Sequence, residues 1–318
     1  MRILITGVTG FAGGHLAETL STGRNKELFG ISRRGEWPAE WHHLKGVVTL
    51  LSCDLCDSTT LENILQNQIK PEGIFHLAGY AQAGKSFEEP DQAWTGNLTA
   101  TRSLYEAVAR LKFPPRIVYV GSGLIYGDLD PGCHAHTELS PMRPANPYAA
   151  SKAAADLASY QYSKFPGLEI VRARPFNHIG PRQSPQFAVA HFAQQIVAIE
   201  KGRKTPLLET GNLTPLRDLT DVRDVVEAYC LLMDRGRTGE AYNVAGGEAF
   251  SMQSVLDRLL GLSRVNVQIR QQTQLVRVVE TAAVRGDAGK IRKETGWQPR
   301  HSLEQTLNDI LDYWRGQP

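Results

Sequence analysis

The chain has 318 residues, which suits one large domain with a smaller partner and exceeds what a single minimal core needs. Hydrophobic residues make up 42% and charged residues 21%, the balance of an ordinary globular chain, and a net charge of +2 marks neither a nucleic-acid nor a membrane surface. No apolar run has the length of a membrane span, and residues 1–6 already read as a buried strand, so neither a secretory leader nor a membrane anchor is expected and the expected compartment is the cytoplasm.

The first expected strand, residues 2–6, runs straight into Gly7, Gly10 and Gly13, spaced G-x-x-G-x-x-G, with Phe11 and Ala12 at the opening of a helix over 13–20. A turn of this kind needs glycine where φ is positive and where a backbone must come close to a pyrophosphate. The helix start then offers free N–H groups and the positive end of its dipole to the phosphates. Placed directly between strand and helix, the three glycines point to a bound dinucleotide.

The second strand, 27–32, ends in Ser32-Arg33-Arg34. An NAD site needs an acid here for the ribose 2′-hydroxyl. Two arginines instead fit a 2′-phosphate, so NADP(H) is the expected cofactor. After the third strand, 47–51, come Asp54, an acceptor for the adenine amino group, and Leu55 beside it. Cys53 and Cys56 flank them as C-x-x-C. With no second pair at ligand spacing they read as packing, and no metal is expected. The fourth strand, 73–77, ends in small residues, Ala78 and Gly79, past which a cofactor backbone can run; His76 reads as a packed strand residue.

Helices are expected over 61–68, 93–111 and 147–164, with further strands at 116–120 and 168–173. This alternation implies right-handed crossovers and an α/β fold with a doubly wound parallel sheet of Rossmann type. After Arg174 the rhythm changes. Prolines and glycines and a helix at 188–201 leave the sheet, residues 219–233 and 240–244 return toward it, and a strand at 265–269 and a helix at 303–315 follow. The expected division is residues 1–175 plus 216–247 for the cofactor domain. Residues 176–215 plus 248–318 form a smaller, interleaved C-terminal substrate domain.

Tyr148 and Lys152 form Y-x-x-x-K on the 147–164 helix, which puts both on one face. Reduction of a ketone leaves an alkoxide that needs a proton. A tyrosine whose pKa is pulled down by a neighbouring ammonium can supply it, and Lys152 can also hold the nicotinamide ribose. Ser122, after the fifth strand, can donate to the substrate carbonyl.

Together these residues resemble the extended short-chain dehydrogenase/reductase family of nucleotide-sugar enzymes, over nearly the whole chain. Within it the chain looks most like the GDP-4-keto-6-deoxymannose reductases and the related GDP-mannose 4,6-dehydratases. The telling stretches are 119–123, Ala173-Arg174-Pro175-Phe176-Asn177-His178-Ile179-Gly180-Pro181, and the R-D-x-x-D-V-R-D of 217–224. The resemblance implies that Asn97 shapes its helix and supports a water path near Lys152. It also implies that Asn177 and Arg217 meet the sugar nucleotide, with Arg277 as a phosphate clamp and Glu280 as a ribose acceptor. Val278 stands where the family's R-P-x-E has proline.

One departure separates the subgroups. The dehydratases carry T-S-E-x-Y-G; aligned on Tyr126-Gly127, this chain has Leu124 at the glutamate. Leucine transfers no protons, so reduction of the 4-keto group of GDP-4-keto-6-deoxy-D-mannose to GDP-D-rhamnose is the activity implied. Three rivals stand beside it: a 4-epimerase that keeps its nicotinamide bound, a reductase of another sugar nucleotide, and a non-catalytic NADP-binding regulator. The family also implies a homodimer paired through the helices over 93–111 and 147–164.

Overall fold

The computed structural model describes residues 1–23, 25–272 and 281–318. The apolar runs become strands β1 (Arg2–Thr6), β2 (Glu27–Ser32), β3 (Val48–Ser52), β4 (Gly73–His76), β5 (Arg116–Val120) and β6 (Ile170–Pro175). Helices α1 (Phe11–Ser21), α2 (Ser58–Asn63), α3 (Pro90–Trp94), α4 (Ala100–Ala109) and α5 (Pro147–Lys164) cross between them. Beyond lie β7 (Asn177–Ile179), α6 (Ala188–Glu200), β8 (Leu207–Thr210), β9 (Leu216–Asp221), α7 (Val222–Arg235), β10 (Ala241–Val244), β11 (Ala249–Ser251) and α8 (Met252–Gly261). The chain closes with β12 (Gln268–Gln271), β13 (Ala283–Val284), α9 (Gly289–Thr295) and α10 (Leu303–Gly316).

Seven strands form one parallel sheet in the order β10-β6-β5-β4-β1-β2-β3. Strand order reverses between β1 and β4, so the crevice beyond their carboxyl ends is where such a sheet takes a ligand. Leu16, Leu20, Val118, Val171, Val225 and Tyr229 fill the face under α1 and α7, while Leu61, Ile74, Leu104, Ile117 and Ile170 fill the other. Both faces are covered, which is why the strands read as unbroken apolar runs.

The smaller lobe has its own sheet, β11-β9-β13 with β7 paired to β9, and its own core of Val189, Phe192, Ile196, Leu256, Leu307 and Ile310. Of the segments read as returning to the large sheet, α7 and β10 do so; β9, just before α7, is hydrogen-bonded within the small one. Asp218 of β9 fastens the lobes, accepting backbone N–H bonds from Gly246, Gly247 and Gly286 at 2.8, 2.9 and 3.2 Å.

The helix read as continuous over 93–111 is broken. Thr95–Thr99 is a π-helical turn between α3 and α4, and it carries Asn97. A π-turn admits one residue more than the α-helical repeat, and such turns gather at functional sites. The expected strand at 265–269 lies slightly later, as β12.

Candidate active site

Gly7 sits at φ +72, and a Cβ there would lie 2.7 Å from the backbone nitrogen of Ala78; at Gly13 it would lie 2.1 Å from the carbonyl of Gly7. Both positions therefore require glycine. Gly10 starts α1 with no side-chain cap, leaving the first N–H groups of the helix to a ligand. A cleft of about 580 Å³ runs from this turn between the lobes. Gly7, Gly10, Phe11, Ala12, Gly13, Arg33, Leu55, Ala78 and Gly79 line its near end, and Ser122, Tyr148, Lys152 and Asn177 its far end.

An adjoining hollow of about 590 Å³ shares Thr9, Ser32 and Arg33 with the cleft and adds Arg34, Glu36, Trp37 and Pro38. Arg33 and Arg34 are exposed, and neither makes an ion pair among the described residues, so both guanidinium forks are open to an anion. Asp54 is exposed at the rim and outside the lining; its Oδ1 accepts the N–H of Cys56 at 2.9 Å. Cys53 is buried beside the cleft, and burial pushes its thiol up to about 11.

At the far end, Asn146 caps α5 by accepting the N–H of Ala149 at 2.8 Å, and Pro147 fits the first helical position. That start sets Tyr148 at the cleft, with Lys152 one turn later. Ser122 follows β5; its Oγ accepts the N–H of Leu124 at 3.2 Å and hydrogen-bonds Tyr148. Lys152 Nζ donates to the carbonyl of Val120 at 3.0 Å and lies 5.7 Å from the Tyr119 ring centre.

Burial dominates the titration of this group. It lowers Lys152 to about 8 and raises Tyr148, against which the Ser122 hydrogen bond pulls down. The expected pull of Lys152 on Tyr148 is not among the causes of that shift, which are burial and the Ser122 hydrogen bond. The Lys152 ammonium is engaged by the Val120 carbonyl, and burial favours the phenol form of Tyr148. A phenol is the form that gives a proton to an alkoxide.

Asn97 lies beneath Gly79, buried, outside the cleft lining. Its Nδ2 donates to Ser151 Oγ at 2.9 Å and its Oδ1 has no hydrogen-bond partner. A Cβ on Gly79 would sit 2.5 Å from that Oδ1 and 3.4 Å from Lys152 Nζ. Asn177 also buries an unpartnered Oδ1 at the cleft. Arg217 is buried in β9, donating to the carbonyls of Leu216 and Thr281 at 2.9 Å each, and is not among the cleft-lining residues. Arg277 and Glu280 lie outside the described residues. Leu124 lines the cleft next to Ser122, and no aspartate or glutamate lines it among the described residues.

Several lining residues were not singled out in the sequence: Thr9, Tyr80, Gln82, Gln183, Gln186 and Tyr229. Gln82 donates to Gln186 at 2.6 Å across the cleft mouth, joining the two lobes. Behind the site Asp156, fully buried one turn past Lys152, binds Arg172 at 2.5 Å and Arg174 at 2.7 and 2.9 Å. Among the described residues no cluster of His, Cys, Asp and Glu could hold a metal ion.

Comparison with known proteins gives the same family reading. The profile of the family described as GDP-mannose 4,6 dehydratase matches residues 4–310. GDP-6-deoxy-D-mannose reductase of Pseudomonas aeruginosa is 31% identical over 98% of this chain and 97% of its own. The solved structure of RMD from Pseudomonas aeruginosa complexed with NADPH superposes with a TM-score of 0.84 at 30% identity, covering 99% of both chains. UDP-glucose 4-epimerase of Thermus thermophilus complexed with NAD gives 0.87 at 29% identity, again over 99% of both.

Proposed function

The chain belongs to the GDP-mannose 4,6-dehydratase family of extended short-chain dehydrogenases/reductases, and on that premise we propose that it reduces the 4-keto group of GDP-4-keto-6-deoxy-D-mannose with NADPH, giving GDP-D-rhamnose. The observation that carries this is the cleft itself. Ser122, Tyr148 and Lys152 stand together there, Leu124 takes the place of the dehydratase glutamate, and no carboxylate lines the wall among the described residues. Removing water from C5 and C6 of a sugar needs such a group; reducing a ketone does not.

The cofactor fits the residues present: the Gly7 cradle that a Cβ would fill, the open start of α1 for the pyrophosphate, and the free forks of Arg33 and Arg34 for a 2′-phosphate. Ala78 and Gly79 would lie along its backbone, Leu55 and Asp54 near its adenine, and Lys152 at the nicotinamide ribose. NADPH supplies the hydride. Ser122 then hydrogen-bonds the substrate carbonyl oxygen, and the Tyr148 hydroxyl gives that oxygen its proton as negative charge develops. Lys152, when charged, favours the phenolate left behind. Asn177, Arg217, Arg277 and Glu280 are assigned to the sugar nucleotide on the resemblance of their stretches to the family.

The residue division is part of the proposal: a cofactor part of 1–175 plus 216–247 and a sugar-nucleotide part of 176–215 plus 248–318, with β9 joining the smaller sheet. So is a homodimer, supported by exposed Trp94 on α3 and by Leu157 and Tyr160, three apart on α5. So too is cytoplasmic residence, the compartment in which an NADPH-dependent sugar-nucleotide reductase would find both its substrates. No helix among the described residues is long and apolar enough to cross a membrane.

The test is NADPH consumption with freshly made GDP-4-keto-6-deoxymannose, with NADH in parallel. Rapid loss of NADPH absorbance supports the proposal; none sinks the substrate. The likeness to an NAD-bound epimerase supplies the second reading. Nicotinamide retained in the purified, denatured protein, with no net consumption, would favour it.

A further inference from the structure

The segment between β7 and α6 contributes Gln183, Ser184, Gln186 and Phe187 to the cleft wall. Gln183 is only 6% exposed. Its Nε2 donates to the carbonyl of His178 at 3.0 Å, and because that carbonyl can only accept, the orientation of the amide is settled. The other end, Oε1, is therefore an acceptor, and it has no hydrogen-bond partner. A buried acceptor left unpaired destabilises the free protein, so the group calls for a partner from the cleft. The pyrophosphate of a dinucleotide has no proton to give. A hydroxyl or an amide does.

The backbone that carries Gln183 is strained. Among the described residues three non-glycines have positive φ, and Arg182, at +69, is the one that adjoins the cleft lining. A left-handed side-chain-bearing residue persists where its surroundings over-determine it, and such positions gather at functional sites. Here α1 and the turn at 39–44 do the holding. The Arg182 guanidinium lies 4.7 Å from the ring centre of buried Trp41, and its Nη1 donates to Glu18 Oε2 at 2.9 Å. Burial opposes a charge on Glu18, yet the His15 hydrogen bond and the Arg182 charge prevail and hold its carboxyl down at about 2. His15 Nε2 meets the carbonyl of Pro181 at 3.0 Å, and His178 stacks on Phe11 with ring centres 5.9 Å apart. Residues 178, 181 and 182 are thus each tied to the cofactor helix or its neighbour, which fixes Gln183 in the wall.

We propose that Gln183 is a ligand-binding residue of the cleft: its Oε1 accepts a hydrogen bond from a hydroxyl or amide group of the bound dinucleotide or sugar nucleotide, and Arg182, strapped to Glu18 and Trp41, is the positioning residue that presents it. This deepens the reading of the cleft as the cofactor and sugar-nucleotide site and rests on it.

The experiment compares the whole protein with Gln183→Met, Gln183→Leu, Arg182→Ala and the double variant of Arg182→Ala with Gln183→Met. Methionine and leucine fill the space with at most a weak acceptor. Calorimetry measures NADPH, GDP-mannose, GDP and UDP-glucose, each alone. The ligand that supplies the donor should bind roughly three- to tenfold more weakly to the Gln183 variants, the worth of one hydrogen bond, and the others should change less than about twofold. The melting temperature without ligand should move by less than about 3 °C, because losing the bond to His178 is offset by removing an unpaired acceptor; a purely structural glutamine would lower it and leave the affinities alone. Weakened NADPH places the donor on the cofactor, weakened GDP-mannose with GDP unmoved places it on the hexose, and weakening of both places it on the nucleoside; each supports the proposal. Arg182→Ala should weaken the same ligand and add less than about twofold in the Gln183→Met background, since it acts through Gln183. A folded Gln183→Met or Gln183→Leu that holds every ligand of the unaltered protein as tightly overturns the proposal. If neither folds, an Arg182→Ala protein with every affinity unchanged overturns it. Binding of UDP-glucose in place of GDP-mannose would instead remove the substrate proposed above, with the Gln183 comparison then read on UDP-glucose.

Discussion

Replacing Arg33 and Arg34 by alanine should convert a cofactor preference into indifference. The two arginines border a hollow continuous with the cleft, and both are open to solvent. Coulomb attraction alone at 4 Å in water supplies about 1 kcal/mol. Hydrogen bonds to a charged group supply about 1.5–3 kcal/mol, and the open position argues for the low end. At about 1.5 kcal/mol each, every arginine corresponds to roughly tenfold in Kd, and the double variant to about a hundredfold. NADPH should weaken by that factor while NADH, lacking the 2′-phosphate, changes less than about threefold. Trp37 lines the same hollow and offers an intrinsic fluorescence signal for both titrations. Added salt should weaken NADPH binding in the unaltered protein and much less in the double variant, since the lost term is electrostatic. Equal weakening of NADPH and NADH would refute the reasoning, because the arginines would then be shaping the turn rather than reading the phosphate.

Tyr148→Phe should lower kcat by about a hundredfold or more, the usual worth of a general acid, while NADPH titration stays near the original; a kcat retained within tenfold would remove Tyr148 from the chemistry. Gly7→Ala forces an alanine to φ +72 with its Cβ 2.7 Å from the Ala78 nitrogen; the left-handed backbone alone costs about 1–2 kcal/mol, so thermal melting should show clear destabilisation together with lost NADPH binding. Activity should fall on the alkaline side as Lys152, lowered to about 8, loses its charge, a limb that a profile of kcat/KM against pH, which reports groups of the free protein, would reveal. Stability should also fall in acid through His76. Its folded pKa of about 3 lies below the ordinary 6.5, so between those values the unfolded chain binds the extra proton and stability is lost as pH falls. His76→Gln should flatten that part of a chemical-denaturation series.

The large sheet was legible because burial on both faces leaves strands as plain apolar runs such as residues 2–6, and because glycine alone satisfies the φ of Gly7 and the contact at Gly13. The Y-x-x-x-K pair was legible because a helix fixes its geometry from spacing alone. The π-turn was not. Thr95, Gly96, Asn97 and Thr99 are weak helix formers, but weak propensity does not tell a π-turn from an α-helix held by packing, and one extra residue in the ladder leaves no periodic mark. Nor were Gln82 and Gln186, which meet across the cleft only because the lobes fold over one another. Arg217 shows the limit from the other side. A motif places it on β9, but whether its guanidinium faces a ligand or the carbonyls of Leu216 and Thr281 is decided by packing. The same holds for Tyr148: sequence spacing gives the neighbour, and only the fold gives the desolvation that raises it.

The charge pattern of the cleft ties binding to chemistry. A net charge of +2 spread over 318 residues says little, yet the described cleft wall holds Arg33 and Lys152 and no carboxylate. A dinucleotide phosphate and a sugar nucleotide together bring several negative charges into this space, and a single wall carboxylate would oppose both. Among the described residues the wall also offers no carboxylate base for elimination. Leu124 therefore acts twice: it removes a repulsive charge beside the sugar, and it leaves Tyr148 as the acid of the far end. Introducing Leu124→Glu should show both effects in one variant. NADPH and sugar-nucleotide affinities should fall together, more at low salt than at high, because the added charge acts through space. Reduction should slow, since a carboxylate near Tyr148 stabilises the phenol against giving up its proton. If affinity and rate are both unchanged, position 124 faces away from the substrate, and the argument from an acid-free cleft loses its ground.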